Sequence, residues 1–142
     1  MHDVQFDSCQ CWYCSLSKMC WPNHSDIGVA RLKGDAIAPE ITGIVTFKDV
    51  PEDVEVCVNI SGLPLYQPSQ GNKPPVGPHG FHIHEYGDCE IHDPNNPFMK
   101  AGGHWNPTDQ PHGNHAGDFP VLFSNHGKSR MCFFTDKFHV AD

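Results

Sequence analysis

Two short stretches of this chain carry histidines at spacings that suit metal coordination. His82 and His84 lie one residue apart in GFHIHEYGD. A second group lies in AGGHWNPTDQPHGNHAGD and comprises His104, His112, His115 and Asp118. Imidazole nitrogen binds zinc and copper, and a carboxylate beside several imidazoles favours zinc over Cu(I). The two groups therefore predict two metal ions, one beside the first stretch and one within the second.

A β-strand would make the first two histidines point in the same direction. Side chains alternate between the two faces of a strand, so His82 and His84 share a face while Phe81 and Ile83 enter the core. The Gly and Pro residues around the second group allow the tight turns that fold several ligands around one ion. Four other histidines stand outside this pattern and are not expected to bind metal: His79, His92, His126 and His139.

The size and composition of the chain indicate one all-β domain. It has 142 residues with 13 Gly and 13 Pro, and it lacks a long apolar stripe of helical period. Alternating patterns predict strands at residues 29–33, 41–50, 54–60, 130–134 and 137–140. Two long connections, 63–80 and 85–119, join them. The second is dense in ligand-type side chains, which favours a functional loop over a disordered one.

Charge and hydropathy exclude several classes of partner. The chain has 9 Lys and Arg against 17 Asp and Glu, a net charge of -8. This balance disfavours nucleic acid and anionic membranes. No stretch approaches the roughly 18 apolar residues of a membrane span, and the N-terminus lacks the layout of a signal peptide. A cytoplasmic or cell-surface location is the default expectation.

The seven cysteines fall into two groups. Four of them lie within residues 1–27: Cys9, Cys11, Cys14 and Cys20. Because residues 1–27 show no strand-like alternation, we predict an extension that is poorly ordered or separately tied down, before a domain of residues 28–142. Thiolates in CQCWYC suit Cu(I) or zinc and a copper-delivery role, and the alternative is an oxidisable tail. Cys57 and Cys132 are expected to be ordinary strand residues, and the odd count leaves at least one thiol unpaired within the chain.

Three motifs in order, GFHIHEYGDC, AGGHWNP and PHGNHAGDFP, resemble the copper/zinc superoxide dismutase family in its bacterial form. The resemblance runs from about residue 29 to the end. It implies a Greek-key β-barrel or sandwich. It further implies that His82 and His84 bind copper and that His104 bridges copper and zinc as an imidazolate. His112, His115 and Asp118 would complete a structural zinc site.

The resemblance also implies an activity. One superoxide would reduce copper and leave as dioxygen, and a second would reoxidise copper and become hydrogen peroxide. Superoxide would then be the small-molecule substrate, with a homodimer and a copper-delivery partner as further expectations. A different class of function is a zinc- or copper-binding protein without turnover. A zinc hydrolase would need an open zinc position and a general base, which the four-ligand set opposes.

The chain departs from the family pattern after Asp142. We expect the last strand or strands to be missing, together with a fourth copper histidine and an arginine that attracts the anion. Cys89 in GDC matches the loop half of the family disulfide, and we expect its partner to be absent. These losses favour a reduced catalytic rate, because local positive charge focuses an anionic substrate.

Overall fold

The computed structural model describes residues 26–36, 38–90, 93–96 and 98–141 of the chain. Its strands are β1 (Ile27–Lys33), β2 (Thr42–Val50), β3 (Asp53–Ser61) and β4 (Lys128–Thr135). They form one antiparallel sheet in the order β1-β2-β3-β4. The described residues contain no α-helix and one 3-10 turn, Met99–Ala101, so the predicted all-β class is confirmed. Among the residues that the structure describes, no helix has the length and apolar character needed to cross a membrane.

Alternate residues of each strand face the core. The buried apolar side chains of the sheet are Ala30, Leu32, Val45, Phe47, Val54, Val56, Val58 and Ile60. In the strand register, Phe47 pairs with Val56 and Val56 pairs with Phe133. Directly opposite residues share a face, so such rows make one continuous apolar surface. Four predicted strands, 29–33, 41–50, 54–60 and 130–134, are confirmed to within two residues at each end.

The chain between β3 and β4 covers the inner face of this sheet. Six of its buried apolar residues belong to the same core cluster as those of the sheet, and they are Leu63, Phe81, Ile83, Ala116, Phe119 and Leu122. The Phe119 ring lies between the layers, 6.4 Å from the Phe47 ring and 5.1 Å from the Phe81 ring. The sheet and the covering layer, which contains isolated β-bridges, enclose one core, an arrangement consistent with the predicted sandwich. The covering layer holds all six candidate ligands.

The fifth predicted strand, residues 137–140, is wrong. The alternation there does reflect burial, since Phe138 is buried and packs 6.3 Å from the Phe47 ring. No ladder forms, however, because the backbone N–H of Val140 donates to the side chain of Asp49. The Val140 N–H thus bonds to a side chain and not to the backbone of the neighbouring strand that the pattern predicted.

One expectation about cysteines is also wrong. Cys57 and Cys132 are not simple strand residues, since they are directly opposite each other on β3 and β4 and form a disulfide. Cys89 is disulfide-bonded as well, and the expected absence of the cysteine that pairs with it in the family stays a prediction. The described residues exclude Cys9, Cys11, Cys14 and Cys20, and they contain only Asp26 and Ile27 of the predicted extension at residues 1–27.

Candidate metal centre

An extended segment, residues 81–85, brings the two parts of the centre together. Ile83 donates its N–H to Gly117 and accepts a hydrogen bond from the N–H of Trp105. These contacts place His82 opposite Asp118 and His84 opposite His104 in antiparallel pairs. Opposite residues project to the same face, which puts all four ligand-type side chains on the side away from buried Phe81 and Ile83.

Gly117 permits this close approach. A Cβ at Gly117 would overlap the carbonyl oxygen of Ile83, which is the acceptor for Trp105. The N–H of Gly117 also donates to the carbonyl of Trp105 at 2.9 Å. The two loop segments therefore meet at Ile83 only because residue 117 has no side chain.

The Asp118 carboxylate organises the larger ligand group. One oxygen, Oδ1, lies 2.7 Å from Nδ1 of His104. The other, Oδ2, accepts the backbone N–H groups of Gly113 at 2.8 Å and His115 at 3.1 Å. Nδ1 of His115 lies 3.3 Å from the same Oδ2. The carboxylate is thus tied to three separate points of the loop that contains it.

The same contacts keep Asp118 ionised. Burial by itself would raise the pKa of this carboxyl, because the side chain is only 10 % exposed. The hydrogen bonds from His104, His115 and Gly113 outweigh that cost, and the pKa of Asp118 lies below its usual value. A carboxylate is the protonation state that a metal ion requires.

The donor set fits zinc. One ligand atom from each of His104, His112, His115 and Asp118 can be chosen so that all four lie within 4.8 Å of one another. Ligands of tetrahedral zinc, about 2.0–2.2 Å from the ion, stand roughly 3.3–3.6 Å apart, so small side-chain rotations suffice. Nδ1 of His115 is buried without a hydrogen bond, which is the state of a nitrogen placed to bind a cation.

The remaining two histidines pack against the other side of His104. The His82 ring stacks on the His104 ring with centroids 3.8 Å apart, and the His84 ring meets it edge-on at 5.3 Å. Nδ1 of His84 lies 3.1 Å from the carbonyl oxygen of Gly102. Since a carbonyl only accepts, Nδ1 carries the proton and the ring lone pair is on Nε2. His82 and His84 thus contact the His104 ring without belonging to the four-residue group, and imidazoles are ligands that suit copper.

The structure therefore brings all six predicted site residues into one cluster. It leaves the other described histidines outside: His126 lies in an exposed turn, and buried His79 pairs by backbone hydrogen bonds with Leu122. His92 falls outside the described residues. Sequence reasoning missed the Gly102 carbonyl that orients His84, although the Gly pair in AGGHW was a usable signal for close backbone approach.

A cleft of about 210 Å³ opens beside His84. Its walls are mostly apolar, and its lining residues are Phe47, Ile83, His84, Glu85, Trp105, Phe138, His139 and Val140. His139, which the sequence pattern left outside the site, thus lies near the candidate copper side without joining the six-residue cluster.

Comparison with known proteins supports the resemblance noted from the motifs. The family described as copper/zinc superoxide dismutase matches residues 41–142. A superoxide dismutase [Cu-Zn] of Deinococcus radiodurans is 31% identical over 129 residues, covering 80% of this chain and 65% of that protein. One from Legionella pneumophila is 32% identical over 111 residues, covering 73% and 59%.

A relative from a eukaryote gives the same result. Superoxide dismutase [Cu-Zn] 5 of Dictyostelium discoideum is 33% identical over 116 residues, covering 76% of this chain and 63% of that protein. The chain thus spans about three fifths of the length of the curated relatives that it matches. The matched region contains the sheet from β2 onward and all six candidate ligands. The chain belongs to the copper/zinc superoxide dismutase family.

Proposed function

We propose that this protein is a superoxide dismutase, with copper held by His82, His84 and His104 and zinc held by His104, His112, His115 and Asp118. One observation carries the proposal. His104 contacts the Asp118 carboxylate through Nδ1, while its ring also packs against His82 and His84. A deprotonated imidazole has a lone pair on each of its two nitrogens, so this one ring can join the two ligand groups.

Copper, when bound, supplies the one-electron chemistry that converts superoxide to dioxygen and hydrogen peroxide, and zinc fixes the ligand loop. The residues of the zinc group orient the shared ring. Asp118 holds Nδ1 of His104 at 2.7 Å and is itself fixed by backbone N–H groups. Supporting hydrogen bonds of this kind set the orientation and basicity of a metal ligand.

Contacts in the copper group determine which ring nitrogen of a histidine carries a proton. The Gly102 carbonyl fixes the proton of His84 on Nδ1, so Nε2 is the atom of that ring that would hold copper. His104 can hold a proton on Nε2 whenever that atom is not coordinated, and it can give the proton up again. The formation of peroxide consumes protons, so a ring that takes up and releases one beside the substrate is suited to this reaction.

A second candidate function is metal binding without turnover. The four-donor zinc group supports it, since a closed tetrahedral site is structural and leaves no position for a hydrolytic water. The ring contacts of His82 and His84 with His104 favour the enzyme, because they place a second histidine group beside the zinc group. The homodimer, the copper-delivery partner and the default location expected from the sequence stay predictions.

The test is superoxide-driven cytochrome c reduction with the full chain loaded first with zinc and then with copper. We expect suppression by the loaded protein and none by the protein with zinc alone. His126→Asn, a change in an exposed turn, is the matched histidine control and should retain the activity. A loaded protein that retains both metals yet fails to suppress the reduction would establish the binding function instead.

A further inference from the structure

The Cys57–Cys132 disulfide lies on the face of the sheet that points away from the core. Cys57 alternates with buried Val56 and Val58 on β3, and Cys132 is exposed on β4. The two residues are directly opposite each other, so their disulfide bond joins neighbouring strands. A disulfide at the surface is open to attack by a dissolved thiolate.

The same bond encloses the whole candidate centre in a covalent ring. The two cysteines are 75 residues apart. The chain leaves β3 at Ser61 and returns to β4 at Lys128, and these two residues pair with each other. All six candidate ligands lie on the part of the chain between them. Closing a long ring restricts the unfolded chain, so the bond stabilises this entire layer.

Packing connects β4 to the zinc group. In the described sheet, β4 has β3 as its only neighbour, so the β3–β4 pairing alone fixes its position there. The inward ring of Phe133 lies 5.1 Å from the ring of Phe119, which follows Asp118 in the chain. Phe119 in turn donates its backbone N–H to Phe81. Loosening β4 would therefore disturb the backbone that carries Asp118.

We propose that the Cys57–Cys132 disulfide is a redox-sensitive clamp on the metal centre. A dithiol transfers two electrons and two protons to the two sulfur atoms and becomes a disulfide itself. The freed β4 then no longer holds the Phe119 contact firmly, and zinc leaves the centre faster. This inference depends on the zinc site proposed above, and it adds a regulation that the proposed activity does not include.

The test measures zinc release to a chromogenic chelator from the oxidised full chain. We expect C57S/C132S to release zinc at least about 10-fold faster than the wild type and to unfold about 10 °C lower. The matched control is N59S/R130S, which alters the next outward pair on the same two strands and should release zinc at the wild-type rate. Equal release rates for C57S/C132S and the wild type would overturn the clamp.

Reduction of the wild type provides the same test without a substitution. Dithiol is titrated in, and alkylation with mass spectrometry identifies which cysteines are free at each step. The same titration of D118N measures the zinc that liberated thiols hold. This amount is subtracted from the wild-type result. Zinc release that rises as Cys57 and Cys132 become alkylated supports the clamp, and release that is unchanged at that point refutes it. If oxidised wild type and D118N bind zinc equally, both the zinc site and the clamp are wrong.

Discussion

The two sides of His104 are organised by different means. On one side, a single carboxylate, Asp118, is fixed by the ring of His104 and by the backbone of the loop at Gly113 and His115. On the other side, strand alternation aligns His82 and His84, and the Gly102 carbonyl sets the tautomer of His84. The first side is a network of charge-assisted hydrogen bonds, whereas the second depends on the register of one extended segment.

This difference predicts which metal group depends on the other. The Asp118 network positions the shared ring, so damage to the carboxylate reaches the copper group through His104. His82 and His84 contact the ring of His104, whereas the contacts of the Asp118 carboxylate run to His104, Gly113 and His115. Damage to His82 or His84 should therefore leave zinc binding intact. We therefore expect zinc to support the centre and copper binding to depend on zinc.

The largest effect is expected from His104→Ala, which removes the only ring common to both groups. Zinc and copper affinities should each fall by more than about 100-fold, because a lost ligand costs more than a lost supporting hydrogen bond. Competition with chelators of known affinity measures both constants. A loss confined to one metal would show that the ring is not shared.

Asp118→Asn tests the direction of the dependence. The amide keeps the size of the side chain but removes the negative charge, which the lowered pKa of Asp118 maintains in the wild type. Zinc affinity should fall by about 10- to 100-fold or more, with a smaller loss of copper affinity through the freed His104 ring. Equal losses for the two metals, measured by the same competition, would contradict the division of ligands.

His84→Ala is the converse experiment. Copper affinity should fall by about 10-fold or more, while zinc affinity stays within about twofold of the wild-type value. The exposed turn variant His126→Asn controls for the loss of any histidine. Zinc binding that falls together with copper binding would mean that the two sides support each other equally.

Gly117→Ala tests the backbone frame that both sides share. Its Cβ would overlap the Ile83 carbonyl and push the two loop segments apart, so we expect a loss of about 1–3 kcal/mol in the free energy of unfolding. Gly103→Ala is the matched control, since a Cβ there meets nothing within 4 Å. Thermal or urea unfolding distinguishes the two, and equal stabilities would show that the close approach is not needed.

The smallest effect concerns His79, a histidine with a packing role. Burial lowers the pKa of its ring, and a hydrogen bond with the Pro64 backbone raises that pKa by a smaller amount. The unfolded chain then binds a proton that the folded chain does not, so stability should fall as the pH drops below about 6.5. His79→Gln should weaken this pH dependence in metal-free protein, and an unchanged slope would contradict it.

Local sequence patterns predicted the features that depend on residues close together in the chain. Period-two burial located β1 to β4, and residue chemistry in a Gly- and Pro-rich setting located the six candidate ligands. Pairings between distant residues were missed. The Cys57–Cys132 bond depends on the β3–β4 register across 75 residues, which no local pattern contains. Residues 137–140 show the converse, since their alternation reports the burial of Phe138 but not the lack of a partner strand.

The most direct test of the shared ring is anomalous diffraction at the copper and zinc absorption edges, using crystals of protein loaded with both metals. We predict one ion about 2.0–2.1 Å from each nitrogen of His104, with Asp118 bound to the zinc ion. A His104 ring that binds one ion or none, with its Nδ1 still paired to Asp118, would contradict the account.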